Sequence, residues 1–392
     1  MGFVFTVGLI FLTLNAAVVA LLWGLNRRWW RLTWVRRTAL WVPVAGLLSG
    51  VVWRAGAHLE LNGLVFAGLG VLAALYLCLI GLLGALLVTG LVQISELAHD
   101  RWRHSGSQAP LPERRRVLRR GLAAVPALTT LTAAGGMFYS ATPARIPCHD
   151  LAFPALPAEL EGLKLLHLSD IHIGPYIRLA DLEELMGRAA AAQPDLVLVT
   201  GDLCDDVPVF PDTLRLIEGL NPPLGVYACL GNHEHFRGLR RIKQHFGRSQ
   251  VRLLVDEGVV VEVAGARLYL AGTDDPRTLR SPESYQVLKS YVDKALYGAP
   301  QGVFSVLMSH RSQALDYAAP LGVNLVLAGH THGFQVGHRG RSFFEPWLAA
   351  RYPWGLYHQG ATQLYTSAGV GHWFPFRLGC PPEAPLLTLR RA

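Results

Sequence analysis

Five short segments of the chain carry side chains that metal ions prefer, and each follows a short apolar run. The segments combine aspartate, histidine and asparagine, so they offer carboxylate, imidazole and amide ligands. They are Asp170-Ile171-His172, Gly201-Asp202-Leu203-Cys204-Asp205, Gly231-Asn232-His233-Glu234, Ser309-His310 and Gly329-His330-Thr331-His332-Gly333. Such a mixed set suits Mn, Fe or Zn rather than Ca or Mg, whose preferred ligands are all oxygen.

The apolar runs before these segments are predicted to be buried strands, because they are short and bounded by Gly, Pro or Asp. Helical patterns over Asp181–Ala192 and Phe236–Phe246 lie between some of them. Alternation of strand and helix predicts an α/β domain with a mostly parallel sheet. The predicted strands are Lys164–Ser169, Leu196–Thr200, Val226–Leu230, Val303–Met308 and Asn324–Ala328.

Parallel strands place their carboxyl ends at one edge of a sheet, so the five segments are expected to converge there. Asp170 and His172 lie two residues apart, so both side chains point the same way from a strand end. The same holds for His330 and His332. Seven ligands are more than one ion uses, whereas two ions bridged by a carboxylate account for all of them. Asp202 is the predicted bridge because it follows a glycine at a tight strand exit.

The charge of such a site indicates its chemistry. Two divalent cations exceed the charge of Asp170 and Asp202 by about two units, because asparagine and neutral histidines add none. This surplus can hold a hydroxide nucleophile and an anionic phosphoryl oxygen. The residues therefore predict hydrolytic phosphoryl transfer.

The ordered motifs DIH, GDLCD, GNHE, SH and GHTHG resemble those of the calcineurin-like metallophosphoesterase superfamily. Two later segments, Tyr365–Gly371 and Arg377–Glu383, are similar to those of its membrane-associated bacterial members. The resemblance extends over roughly residues 160 to 390 and does not cover the apolar N-terminal part. It implies a metallophosphoesterase βαβ sandwich, in which two mixed sheets are flanked by helices, preceded here by an all-α transmembrane region.

The resemblance also implies roles for individual residues. His233 would be the general acid near the leaving oxygen, and Asp205 would orient it. The first metal would be held by Asp170, His172, Asp202 and His332, and the second by Asp202, Asn232, His310 and His330.

Two positions depart from the pattern of the superfamily. Asp206 stands where its protein Ser/Thr phosphatases carry a phosphate-binding arginine, which argues against the dephosphorylation of proteins. Phe334 stands where close relatives usually have a second glycine. It either narrows the site or packs against it.

Residues 1–145 have the composition of a membrane region. The whole chain is 51% hydrophobic and 16% charged, whereas soluble proteins carry about 25% charged residues. Four transmembrane helices are predicted, over Phe3–Leu25, Thr38–Trp53, Leu61–Ser95 and Gly121–Thr142. The fourth follows an arginine cluster, and it is the weakest because it contains Pro126 and the Gly135-Gly136 pair. A twin-arginine-like export segment is its alternative.

Arginine-rich loops indicate the orientation of these helices, because such loops stay on the cytoplasmic side. They follow the first and third predicted spans, at 27–37 and 101–120. The expected protein is therefore a multi-pass protein of the cell membrane with an extracytoplasmic catalytic domain, residues 146–392.

The net charge of +8 lies entirely in the apolar part of the chain. Residues 1–150 contain 14 arginines and 5 acidic residues, while residues 151–392 contain 22 basic and 23 acidic residues. A near-neutral domain lacks the basic surface that nucleic acid requires, so no nucleic acid is expected. The expected partners are membrane lipids and a phosphoester substrate, which the membrane location favours as an envelope or lipid-linked compound.

These residues predict a dinuclear metal-dependent phosphoesterase that hydrolyses phosphodiesters or phosphomonoesters at the membrane. A noncatalytic metal-binding scaffold on a membrane anchor is the alternative. A transport protein is less favoured, because no charged residue interrupts the predicted spans. Two local questions stay open: whether Cys148 pairs with Cys380, and whether the aromatic segment Phe343–Tyr357 packs in the core or contacts the membrane interface.

Overall fold

The chain folds into two units of different character. A computed structural model describes residues 2–25, 27–59, 61–103, 128, 131–347, 351–372 and 374–392. One unit comprises residues 1–138 with 374–376, and the other comprises residues 139–373 with 377–392. Each unit is described separately below.

The first unit is built from long apolar helices. Three of them, α1 (Gly2–Leu25), α3 (Thr33–His58) and α4 (Asn62–Arg103), are long and apolar enough to cross a membrane, as expected for these apolar stretches. The predicted second span is part of a longer helix, which contains Pro43. A short helix, α2 (Arg27–Trp30), lies between α1 and α3 in the chain.

Small residues let two of these helices approach closely. A side chain on Gly68 of α4 would meet the backbone of Ser49 and Trp53 in α3. The helix α5 covers residues 131–140. Nine of the 22 residues of the predicted fourth span, Gly121–Thr142, lie outside the described residues, namely 121–127 and 129–130.

The second unit contains two six-stranded mixed sheets among its described residues. The first sheet comprises β1 (Cys148–Phe153), β2 (Lys164–Leu168), β3 (Leu196–Thr200), β4 (Val226–Cys229), β5 (Arg252–Leu253) and β14 (Leu386–Arg391). The second comprises β6 (Glu257–Val263), β7 (Ala266–Gly272), β8 (Phe304–Met308), β9 (Leu325–Ala328), β12 (Gly355–Gln359) and β13 (Thr362–Thr366). The strand order is β1-β14-β2-β3-β4-β5 in the first sheet and β12-β13-β9-β8-β7-β6 in the second.

Helices cover the outer faces of the two sheets, and a small hairpin completes the unit. The helices are α6 (Leu179–Ala191), α7 (Phe210–Glu218), α8 (Asn232–Phe246), α9 (Pro282–Ala295) and α10 (Leu315–Ala318). The hairpin pairs β10 (Gly337–His338) with β11 (Arg341–Ser342).

Alternation along the strands explains why the sheets stack. In β3, Leu196 and Leu198 face the second sheet, while Val197 and Val199 pack under the helices that cover the first sheet. Both faces are buried, so the strands are apolar throughout. The predicted sandwich of two mixed sheets flanked by helices is confirmed.

The parallel strands β2, β3 and β4 end beside one another, as do β8 and β9 in the second sheet. These are the five strands that the motifs follow. Their bounds agree with the sequence prediction to within one residue at every end. The helix α8, by contrast, begins at Asn232 rather than at Phe236, and thus inside the third motif.

Candidate metal centre

Backbone conformation at the strand ends is unusual. Five of the seven predicted ligands have a positive φ, which side-chain-bearing residues rarely adopt. The angles are 50° at Asp170, 49° at His172, 53° at Asp202, 72° at His330 and 50° at His332. Such strain persists where the surrounding structure enforces it, and it concentrates at functional sites.

The first ligand group contains Asp170, His172 and His332, and all three are buried. The Nε2 atoms of His172 and His332 lie 3.2 Å apart. Asp170 Oδ1 lies 3.3 Å from His332 Nε2 and 3.9 Å from His172 Nε2. A carboxylate oxygen and two ring nitrogens therefore point at one small volume.

The second ligand group contains Asp202, His310 and His330. His310 Nε2 lies 3.2 Å from Asp202 Oδ2 and 3.2 Å from His330 Nδ1. His310 Nδ1 donates to the Thr200 carbonyl at 2.7 Å. That bond fixes the ring and leaves Nε2 as the atom that faces the group.

Asp202 lies between the two groups. Its Oδ2 atom is 3.2 Å from His310 Nε2 and 3.8 Å from His172 Nε2. Burial opposes ionisation of this carboxyl, but His310, His233 and His172 hold its pKa well below the usual range. The anionic form that a bridging ligand needs is thus favoured.

The remaining predicted ligand, Asn232, is buried at the start of α8. Its Oδ1 accepts a hydrogen bond from Arg311 Nη2 at 3.1 Å. The backbone amide of the next residue, His233, donates to Asp202 Oδ1 at 2.8 Å. The structure therefore brings Asn232 to the edge of the second group and gives its amide oxygen to an arginine.

The donor chemistry of the two groups fits divalent cations. In each group two imidazole nitrogens face each other at 3.2 Å, where a proton can serve only one of them. A buried carboxylate, Asp170 in one group and Asp202 in the other, accompanies each pair. Buried carboxylates are costly without a cation, so these residues are suited to hold metal ions.

Protonation changes within the second group follow from its charges. Burial alone would lower the pKa of His310, yet the carboxylates of Asp202 and Asp170 raise it to about 10. Burial and the neighbouring Arg311 guanidinium hold the pKa of His330 well below its usual range. In the metal-free chain, His310 therefore carries a proton at neutral pH and His330 does not.

His233 and Asp205 form a pair beside the predicted ligands. His233 Nδ1 lies 2.6 Å from Asp205 Oδ1, and its other ring nitrogen lies 3.9 Å from Asp202 Oδ2. Burial would lower the pKa of His233, but the carboxylates of Asp202 and Asp205 raise it to about 9. The other oxygen of Asp205 lies 3.2 Å from His172 Nδ1, so one carboxylate orients two imidazoles.

Glu234 explains why α8 begins inside the motif. Its buried carboxylate accepts hydrogen bonds from the backbone amides of Gly231, Asp202 and Leu203 at 2.8 to 2.9 Å. It therefore caps the helix and ties the second motif to the third. In the sequence, this glutamate stands out only as the last residue of a motif.

Sequence reasoning also missed a buried ion pair behind the second group. Arg311 donates to Asp275 through Nε at 2.5 Å and Nη2 at 3.0 Å, and both residues are almost fully buried. Its Nη1 contacts His330 Nε2. The available signal was that Arg311 directly follows His310, whereas Asp275 lies outside the motifs.

The structure also bears on the questions that the sequence left open. Cys148 and Cys380 are both free thiols. Phe334 packs edge-on against Phe344, with ring centroids 6.2 Å apart. The aromatic segment divides: Trp354 and Tyr357 are buried, while Phe343 and Trp347 are 60% and 67% exposed.

Comparison with known proteins agrees with the geometry. Residues 163–334 match the family model of the calcineurin-like phosphoesterases. The chain is 28% identical over 302 residues to the uncharacterized metallophosphoesterase YkuE of Bacillus subtilis, covering 70% of this chain and 97% of that protein. It is 30% identical over 254 residues to an uncharacterized metallophosphoesterase of Aquifex aeolicus, covering 63% and 92% of the respective chains.

Two further proteins resemble the chain in part. A transmembrane protein with a metallophosphoesterase domain from Bos taurus is 28% identical over 307 residues, covering 74% of this chain and 67% of that protein. Among solved structures, a 5′-nucleotidase precursor from Thermus thermophilus aligns with a TM-score of 0.37 and 18% identity. That alignment covers 53% of this chain and 49% of the other, so about half of each lies outside it.

The Aquifex aeolicus relative is 30% identical and nine-tenths of it is covered, so it shows the family. The His and Asp clusters described above lie within residues 163–334, which the family model matches. The chain belongs to the calcineurin-like phosphoesterases, a family of dinuclear metal-dependent enzymes.

Proposed function

We propose that the chain is a dinuclear metal-dependent phosphoesterase that hydrolyses phosphodiesters or phosphomonoesters at a membrane. The observation that supports this most is the position of Asp202 Oδ2, 3.2 to 3.8 Å from ring nitrogens of both ligand groups. A carboxylate shared in this way is the arrangement expected for two neighbouring metal ions.

The proposed ligands divide between two ions. The donor set of carboxylate, imidazole and amide favours Mn, Fe or Zn. Such ions, when bound, supply Lewis acidity to the phosphoryl group and activate water. Asp170, His172, Asp202 and His332 would hold the first ion, and Asp202, Asn232, His310 and His330 would hold the second.

His233 is the proposed general acid. Its Nδ1 is held by Asp205, so the proton on Nε2 is available to a leaving oxygen. A pKa raised to about 9 keeps the ring protonated at neutral pH. Asp205 is the proposed positioning carboxylate, because it holds both His233 and the ligand His172.

The proposed location of the site at a membrane rests on the apolar helices of the first unit. We place the chain with the membrane-associated bacterial members of the family, with a membrane region at residues 1–145 and a catalytic domain at 146–392. The arginine-rich loops favour an extracytoplasmic catalytic domain. A domain held there would meet envelope or lipid-linked phosphoesters and the lipids of the membrane.

Hydrolysis by the purified full-length chain tests this proposal. A generic phosphodiester and a generic phosphomonoester are offered with added Mn²⁺, before and after chelation. We expect turnover that disappears on chelation and returns with Mn²⁺. A folded chain that binds two ions but turns over neither ester would instead support the noncatalytic scaffold.

A further inference from the structure

A strained aromatic residue lies next to the first ligand group. Gly333, Phe334 and Gln335 have φ values of 61°, 53° and 60°, so three successive residues adopt the left-handed region. This conformation suits glycine and is rare for a bulky aromatic residue. The surrounding structure therefore holds Phe334 in a strained backbone conformation, two residues after the proposed ligand His332.

Phe334 is the first member of an aromatic cluster, which we call the aromatic ledge: Phe334, Phe343, Phe344 and Trp347. Ring centroids are 6.2 Å apart for Phe334 and Phe344, 5.6 Å for Phe343 and Phe344, and 5.1 Å for Phe343 and Trp347. Phe343 and Trp347 are 60% and 67% exposed. Soluble proteins rarely expose contiguous apolar side chains of this size unless the surface binds a partner or a membrane.

The neighbours of the ledge extend this apolar surface and add positive charge. Leu378 is 44% exposed, and its backbone bonds to Gln335 and Gly337 at the foot of the ledge. Arg339 and Arg341, in the β10–β11 hairpin, are also exposed. Arg341 pairs with Glu345 at 3.4 Å, which leaves Arg339 as the excess charge of this segment.

Three features favour a lipid bilayer as the occupant of this surface. Tryptophan is enriched at membrane–water interfaces. Cationic side chains complement anionic head groups. The same chain carries three helices long and apolar enough to cross a membrane, so the tether keeps the ledge at a high effective concentration near lipid.

We propose that the aromatic ledge inserts into the interfacial layer of an anionic phospholipid bilayer, which presents lipid head-group phosphoesters to the metal centre. This narrows the substrate class to phosphoesters held in a membrane, and in that respect it rests on the proposed function. Insertion of the ledge itself needs no turnover.

Quenching of Trp347 fluorescence by brominated lipid tests the insertion. The full-length chain is placed in nanodiscs of phosphatidylcholine and phosphatidylglycerol, with and without brominated acyl chains. Trp347→Phe keeps an aromatic ring at an exposed position, so the fluorescence difference between the two proteins reports Trp347. The matched control is Trp354→Phe, because Trp354 lies in the same segment but is 4% exposed.

We expect brominated lipid to quench the Trp347 signal and to leave the Trp354 signal unchanged, while iodide in the water quenches neither. Quenching of Trp347 by iodide and not by brominated lipid would overturn the proposal. Equal bromine quenching of the native chain and of Trp347→Phe would overturn it as well. Turnover of a soluble phosphoester in the same nanodiscs separates this result from the proposed function, which fails only if that turnover is absent.

Discussion

The two ligand groups that meet at Asp202 contain the same side-chain types but face different charges. In the first group, His172 Nδ1 lies 3.2 Å from the carboxylate of Asp205. In the second group, His330 contacts the guanidinium of Arg311. An anionic partner strengthens an imidazole ligand, whereas a neighbouring cation opposes metal binding.

From this difference we expect binding of the second ion to depend on Asp275, which is not a proposed ligand. Asp275 neutralises Arg311 through two hydrogen bonds of 2.5 and 3.0 Å. With that pair intact, Arg311 serves to hold Asn232 and His330 in place. We therefore expect two ions of unequal affinity, the tighter one beside Asp170 and the more easily lost one beside Arg311.

Asp202→Asn removes the charge that both groups share and should have the largest effect. Each ion contributes several kcal/mol to the transition state, so we expect turnover to fall by about 10³-fold or more. Metal analysis of the purified protein should show at most one ion. Asp212→Asn, at an exposed carboxylate, is the control and should change neither turnover nor metal content. Full activity of Asp202→Asn would contradict the role of Asp202 as a bridging ligand.

His233→Ala should separate catalysis from metal binding. General acid catalysis contributes about 10²- to 10⁴-fold, so kcat should fall by that factor while both ions remain bound. Because the pKa of His233 is raised to about 9, native turnover should decline as the pH rises through that value. Steady-state kinetics from pH 6 to 10 would check this.

The His233→Ala variant should lack the decline of turnover at alkaline pH. His245→Ala, at the far end of α8, is the matched histidine control and should behave as the native chain. If His233→Ala kept the native rate and pH profile, the general acid would be another group.

Asp275→Asn should widen the difference in affinity between the two ions without changing a proposed ligand. It leaves the buried Arg311 charge uncompensated beside the second group, so the second ion should bind about 10- to 100-fold more weakly. The first ion should be unaffected, as measured by calorimetric titration of the metal-free chain. Adding Arg311→Gln to this variant should restore much of the affinity for the second ion. If Asp275→Asn lowered the affinity for both ions by the same factor, the expected difference between the two ligand groups would be contradicted.

The change of metal affinity with pH should be the smallest effect when it is counted per pH unit. It should also distinguish the second ion from the first. A metal displaces the proton of His310, whose pKa is raised to about 10, so the affinity of the second ion should rise with pH up to that value. The rise is at most about tenfold per pH unit for each proton released. Calorimetry in buffers of different ionisation enthalpy would count these protons, and no release near neutral pH would contradict the assignment.

The sequence allowed the sandwich and the convergence of the motifs to be predicted, because short apolar strands and ligands at their ends follow local rules. The left-handed backbone of Asp170 or His332 could not be predicted, since only tertiary contacts hold aspartate and histidine in that conformation. The Arg311–Asp275 pair joins residues 36 positions apart. Its partner lies outside every motif, and no periodicity indicates such a contact.

The early start of α8 has a similar cause. The sequence pattern predicts that this helix begins at Phe236, but the carboxylate of Glu234 caps the backbone earlier. The separation of the aromatic segment into buried Trp354 and exposed Trp347 likewise depends on packing that composition does not encode.

Anomalous X-ray scattering from crystals of the full-length chain grown with Mn²⁺ tests the dinuclear centre most directly. We predict two peaks about 3.5 to 4 Å apart, one beside His172 and His332 and the other beside His310 and His330, with Asp202 between them. A single peak, or peaks away from Asp202, would contradict the shared-carboxylate centre.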